Sequence, residues 1–228
     1  MAAIHSHLWS PPFQTTVDRY CAALKTAEKL LKLHPRGAGH PADAAALSPA
    51  IVLSVTGAFE GFAENFMASA LSQQGLGFAE IAKKIGGWNN PTLFDFKERA
   101  ATYFTGAAAA LNLGAQIETM HPSSGKLGLA RPWNDIIRDS RAWMQVRHNL
   151  THGQTTGWRS EYWSPPLKVG EPHASTVLLA RGATNHSLTL YGAISCARIY
   201  SVGAQTIADA VAASSGQSLD WSALPNFK

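Results

Sequence analysis

The stretch WNDIIRDSRAWMQVRHNLTH, residues 133–152, decides how this chain is read. It opens after Arg131-Pro132, closes before Gly153, and reads as one helix from Trp133 to about Thr151, with the glycine as its stop. At ~100° per residue, with His148 at the origin, Trp143, Val146 and Leu150 cluster about 140–200° away. The apolar stripe thus lies on the far side from His148. His152 falls about 40° from His148, and Arg147 about 100° away in the other direction, within reach of a long side chain. Arg147, His148 and His152 can therefore line one groove. The ~140° between Arg147 and His152 makes that groove depend on arginine reach or on a second subunit.

Outward from this helix the chain divides into further helical blocks. Val17, Tyr20, Cys21, Leu24, Ala27, Leu30 and Leu31 recur at three- and four-residue steps between Thr15 and Leu33. Ser48-Pro49 has the form of an N-cap with proline in the first turn, and opens a long helix. Its core stripe is Ile51, Val55, Phe59, Phe62 and Phe66, with Glu60 and Glu64 on roughly the opposite side, away from the main core. A short helix, Phe78 to Ile85, ends at Gly86-Gly87. Asn90-Pro91 repeats the cap-plus-proline signal before a helix that the Ala107–Ala110 run extends. A loop through His121 and Gly125 leads to Arg131-Pro132, and helical periodicity returns from Leu188 to Ala213. Between Thr155 and Asn185 the pattern changes to aromatics, Pro165-Pro166 and the run Thr176–Leu179, which reads as a loop or small hairpin inserted before the last helix. No repeat and no strand–helix alternation is visible. The expected fold is all-α, an up-and-down helical bundle, as a single domain over residues 1–228 with an irregular insertion at 155–185.

Composition bounds the function. With 228 residues and 46% hydrophobic, the chain can bury a sizeable core, while only 15% charged residues leave apolar surface for a partner chain. A net charge of +4 favours anionic partners but falls short of the Lys/Arg tracts of a strong duplex binder. Cys21 and Cys196 are too few and too far apart for a zinc ribbon or a disulfide framework, and Cys21 sits at a core position. Residues 1–12 have no basic segment followed by an apolar run, and charged residues interrupt both long apolar stretches, so neither a secretory signal nor a membrane span is expected. The cytoplasm is the expected compartment.

The motif has a chemical logic. RNA carries its own nucleophile, the 2′-hydroxyl. A site that cleaves it needs a general base or acid titrating near neutrality and a fixed cation for the charge that builds on phosphorus. Histidine supplies the first and arginine the second, and arginine's planar fork matches two phosphate oxygens. The predicted products are a 2′,3′-cyclic phosphate and a 5′-hydroxyl.

Arg147 to His152, with a polar residue directly after the arginine and Gly153 after the last histidine, resembles the R-x4-6-H signature of HEPN domains. Phe59-Glu60-Gly61-Phe62-Ala63-Glu64-Asn65 is similar to their early helix, whose acidic residue approaches the motif, notably in the RiboL-PSP-like branch. The resemblance spans roughly Leu47 to Ala213 without the insertion. It implies a HEPN-like bundle, metal-independent ribonuclease activity, and a homodimer whose two motifs form a composite site. It further implies Arg147 and His152 as the catalytic pair, His148 at the family's polar position, and Glu60 orienting Arg147 or His152, with Glu64 the alternative. Toxin, antiviral and RNA-processing settings all belong to the family, including an antitoxin or regulatory partner protein.

Arg141, Asn149, Trp158 and Arg159 are the expected substrate contacts, the last two because Trp158, Tyr162 and Trp163 around Arg159 can stack bases of single-stranded RNA. Each assignment has a plainer counterpart. Arg147 and His152 also suit a helix C-terminus where cations favour the dipole. Glu60 and Glu64 suit a solvated face, and the aromatics suit anchoring the insertion. His148 and His152, at i and i+4, could be metal ligands, but the intervening Glu of a His-Glu-x-x-His site is missing and no third ligand follows at a telling spacing. No metal and no cofactor is expected. Besides cleavage, a non-catalytic module of the same fold that binds RNA or a partner protein fits the same residues.

Overall fold

The computed structural model describes residues 12–36, 44, 46–111, 115–121, 125–152 and 188–228. In chain order these contain α1 (Phe13–Leu33), α2 (Leu47–Gln73), α3 (Phe78–Ile85), α4 (Leu93–Tyr103), α5 (Thr105–Ala110), the strands β1 (Gln116–Met120) and β2 (Leu127–Pro132), then α6 (Trp133–His152) and α7 (Leu190–Ser214). The architecture is mainly helical, with one two-stranded antiparallel sheet among the described residues.

Aromatic spacing in α2 explains the packing. Phe59, Phe62 and Phe66 fall on one face and are all buried. From α1, Phe13 stacks on Phe66 with ring centroids 4.8 Å apart, and Tyr20 stacks on Phe62 at 4.4 Å. From α4, Phe96 meets the rings of Phe59, Phe62 and Phe66 edge-on. From α7, Tyr200 lies 4.8 Å from Phe59. Each such ring pair contributes roughly 0.5–1.5 kcal/mol beyond its buried area, so this cluster sets the mutual positions of four helices. Close approach also requires small residues. Gly203 of α7 faces Leu93 of α4, and a Cβ there would collide with the leucine side chain.

Four local expectations need correction. Helix α2 begins at Leu47, so Ser48 is already inside the helix and buried. Helix α4 is capped by Thr92 and not by Asn90. The Thr92 N–H donates to the Asp95 carboxylate at 2.9 Å, and the Asp95 N–H donates to Thr92 Oγ1 at 3.4 Å. The alanine run does not extend α4, because the backbone leaves helical angles at Phe104 (φ −126°, ψ 81°), whose side chain is buried. Finally, the chain is not purely α-helical, because the strands Gln116–Met120 and Leu127–Pro132 pair into an antiparallel sheet. Non-local bonds hold it: the Met120 N–H donates to Ser195 Oγ of α7 at 3.1 Å, and Arg198 Nε donates to the Glu118 carbonyl at 2.5 Å. Gly125, at φ +63°, turns the hairpin directly against the Tyr191 ring, where any Cβ would clash. The insertion expected at 155–185 lies outside the described residues.

Beyond α7 the chain folds back. Phe227 is buried, Arg198 donates to its carbonyl at 3.1 Å, and Gln14 of α1 and the Asp220 backbone exchange two hydrogen bonds of 2.9 Å. Cys21 and Cys196 are buried and free, and burial pushes the Cys21 thiol up to about 11. Among the described residues no helix is long and apolar enough to cross a membrane.

Candidate active site at the end of α6

Arg147 extends from the C-terminal turns of α6 towards α2 and the loop that precedes α4. Its Nη2 donates to Glu60 Oε2 at 3.0 Å and its Nη1 donates to Asn90 Oδ1 at 2.9 Å. Side-chain exposures of 19% for Arg147 and 17% for Glu60 make this a half-sealed pair. A guanidinium has five N–H donors. The three not used in this clamp have no acceptor among the described residues and remain for a ligand.

Asn90 can accept from Arg147 because Thr92 takes the capping task two residues later. Its backbone is left-handed, at φ 50°, a conformation that asparagine tolerates better than most residues. Sequence reading missed it: Asn-Pro looks like a helix start, and the residue that explains Asn90 lies 57 positions away.

Glu60 was expected to face away from the core and is instead half-buried, because α6 packs over that side of α2. Burial raises its carboxyl above the ordinary value of 4.5. Arg147 opposes that rise and Glu64 adds to it. The atom Oε1 is buried with no hydrogen-bond partner among the described residues. The ion pair therefore does not fully compensate the carboxylate. Glu64, its alternative, is raised by burial too and makes no ion pair among the described residues. Glu60 is the acidic residue that holds Arg147.

His148 and His152 lie one turn apart with nearly parallel rings, 6.0 Å between centroids and 19° between planes. His148 is half-buried, and its imidazole is held below the usual 6.5 by burial first, then by the charges of Arg147 and His152. At pH 7 it is neutral and able to accept a proton. His152 is exposed. Thr151 Oγ1 donates to the Arg147 carbonyl at 2.9 Å, which occupies one of the last carbonyls of the helix.

Two expected substrate contacts stand apart from one another. Arg141 is exposed and lies over the Phe94 ring, 5.0 Å from its centroid, open to solvent on the same helix as the motif. Asn149 is not available: only 2% of it is exposed, and its Nδ2 donates to the Gln145 carbonyl at 2.8 Å. Helices α2, α4 and α7 and the hairpin all contact α6, so its buried face is wider than an apolar stripe and takes in this polar residue. Trp158 and Arg159 lie outside the described residues.

The geometry thus offers a fixed guanidinium, with N–H groups that have no acceptor among the described residues, on the same helix end as one neutral and one exposed imidazole. Such a set can bind a phosphate and exchange protons with it. No protein-family model matches the chain, and neither a curated protein nor a solved structure does.

Proposed function

We propose that this protein is a metal-independent endoribonuclease of the HEPN type. Its helices form a HEPN-like bundle, and it acts in the cytoplasm as a homodimer with a composite Arg/His site. The observation that carries this reading is the clamp of Arg147 between Glu60 and Asn90, with His148, whose imidazole feels the Arg147 charge, and His152 one turn apart on the same helix. In the reaction a neutral imidazole takes the proton of the 2′-hydroxyl, and O2′ attacks phosphorus. The P–O5′ bond breaks, and the departing O5′ takes a proton from a second, protonated imidazole. No water is consumed, and the ends are a 2′,3′-cyclic phosphate and a 5′-hydroxyl. The lowered affinity of His148 for protons suits the base, and exposed His152, from the same or the second subunit, suits the acid. The three N–H groups of Arg147 outside the clamp stabilise the charge on the non-bridging oxygens. Toxin or antiviral effector roles, with a partner protein that masks the site, are consistent with such an activity.

The test is cleavage of single-stranded RNA in EDTA by the wild type, Arg147→Ala and His152→Ala. Activity in the wild type alone is the expected result, and equal activity in all three contradicts the proposal.

One observation favours a second reading. Arg147 already spends two donors on partners within the fold, as a structural arginine does. On that reading the chain is a non-catalytic module that binds RNA or a partner protein. RNA binding that survives His152→Ala, with no cleavage by any form, selects it.

A further inference from the structure

Four arginines among the described residues are buried or half-buried: Arg99, Arg131, Arg147 and Arg198. Three have their charge answered. Arg131 pairs with Asp139, Arg147 pairs with Glu60, and Arg99 stands over the Trp88 ring, 4.9 Å from its centroid. Arg198 differs. Its Nε and Nη1 donate to the backbone carbonyls of Glu118 and Phe227, both neutral acceptors. It makes no ion pair among the described residues, and its Nη2 has no acceptor there. The carboxylate that acts on it electrostatically, Glu118, is exposed, and burial outweighs that attraction and lowers the affinity of Arg198 for its proton. Glu118 offsets only part of the cost of withdrawing this cation from water, and an anionic ligand at that position offsets more of it.

Arg198 also lines a pocket of about 230 Å³ between α7 and the segment that follows it. Trp221, half-buried, forms part of its wall and is fixed by the Nε1–H bond to Asp209 at 2.8 Å. Gln205 and Asn226 line the same pocket, and neither side-chain amide is bonded elsewhere among the described residues. Each of the three chemistries matches one part of a nucleotide. The guanidinium fork fits phosphate oxygens. The indole, which also meets the Phe62 ring edge-on with centroids 6.0 Å apart, is the kind of aromatic group on which a planar base stacks. Amides carry a donor and an acceptor side by side, the pattern that reads a base edge.

We propose that the pocket formed by Arg198, Gln205, Trp221 and Asn226 binds a mononucleotide, with the phosphate on Arg198 and the base against Trp221. The site is separate from Arg147 and His152 and does not rest on the ribonuclease reading. A ribonuclease and a binding module are equally able to carry it.

The experiment is calorimetric titration of the full-length chain with adenosine monophosphate, uridine monophosphate, adenosine and inorganic phosphate. The variants Arg198→Lys, Asn226→Ala and Arg147→Ala are titrated alongside. Arg198→Lys keeps the charge but loses the fork, and Asn226→Ala alters an exposed position, so folding survives in at least one of them, as an unfolding midpoint verifies. The expected result is binding of a nucleoside monophosphate at least tenfold tighter than of adenosine or phosphate alone. Loss of a charged hydrogen bond should weaken it roughly ten- to hundredfold in Arg198→Lys, with a smaller loss in Asn226→Ala and none in Arg147→Ala. Four outcomes overturn the proposal: no binding of either nucleotide, phosphate alone binding as tightly, affinity unchanged in both pocket variants, or affinity lost in Arg147→Ala, which would put the ligand at the end of α6.

Discussion

An arginine–carboxylate pair stands at each end of α6, and the two differ in what surrounds them. At the N-terminal end Arg131 and Asp139 meet at 2.9 Å with 9% and 1% of their side chains exposed. At the C-terminal end Arg147 and Glu60 meet at 3.0 Å with 19% and 17% exposed. The distances are alike and the settings are not. The first pair is buried and joins β2 to the helix, and it lies in a network in which Asp135 also approaches Arg131 and Arg138 also approaches Asp139, at 3.6 and 3.4 Å. The second keeps N–H groups with no acceptor among the described residues, shares its arginine with a left-handed asparagine, and has two histidines one turn apart on the same helix. Similar ion-pair distances thus serve cohesion where the pair is buried within a network and, on the proposed function, chemistry where it is half-open.

If that contrast is correct, substitutions at the two ends should fail in different ways. The largest effect is expected at the open end. Arg147→Ala and His152→Ala should each lower the rate of RNA cleavage by about two to four orders of magnitude. Their urea midpoints should move little compared with that, His152→Ala least of all because the residue is exposed. A rate loss that merely tracks the unfolded fraction would erase the distinction. The closed end should behave oppositely. Removing Asp139 leaves buried Arg131 with only the more distant Asp135 carboxylate at 3.6 Å, so Asp139→Ala should cost about 3 kcal/mol of unfolding free energy, read by urea denaturation, while the folded fraction keeps its cleavage rate.

Smaller substitutions sharpen the role of the clamp. Glu60→Gln keeps the shape and removes the charge, and Asn90→Gly keeps the left-handed backbone and removes the acceptor. Each should slow cleavage by about tenfold, the value of one charge-assisted hydrogen bond, and a double variant no worse than either single one would show that the two act only through Arg147. Unaltered rates in both would mean that the clamp does not position the arginine.

The smallest effect is a pH dependence. The imidazole of His148 has a lower proton affinity folded than unfolded. The unfolded chain therefore takes up the proton first. The stability tied to neutral His148 is complete above the unfolded value of about 6.5 and is lost as the pH falls through it towards the folded one. Urea midpoints between pH 7.5 and 5.5 should fall less steeply in His148→Gln than in the wild type, and identical slopes would contradict the assignment.

What the sequence made legible follows from range. The periodic apolar residues of α1, α2, α6 and α7 act within one helix, so their spacing alone exposes them. The hairpin is short, contains Gly128 and Pro132, and is held by Ser195 and Arg198 of a helix some 75 to 80 residues later, which no local pattern announces. The same holds within the site. Arg147, His148 and His152 lie within two turns of one helix and in a readable motif, and Glu60 stood out only through the resemblance of its surrounding segment. Asn90 and the burial of Asn149 depend on which elements pack around α6, and a helical wheel carries no information about that.

The most direct measurement is the chemistry of the cut ends. RNA is incubated in EDTA with the wild type and with His152→Ala, and the products are identified by mass spectrometry. The account predicts 2′,3′-cyclic phosphate and 5′-hydroxyl ends from the wild type, and intact RNA both with His152→Ala and when the scissile position carries 2′-deoxyribose. A 5′-phosphate product, or cleavage indifferent to the 2′-hydroxyl, would contradict it.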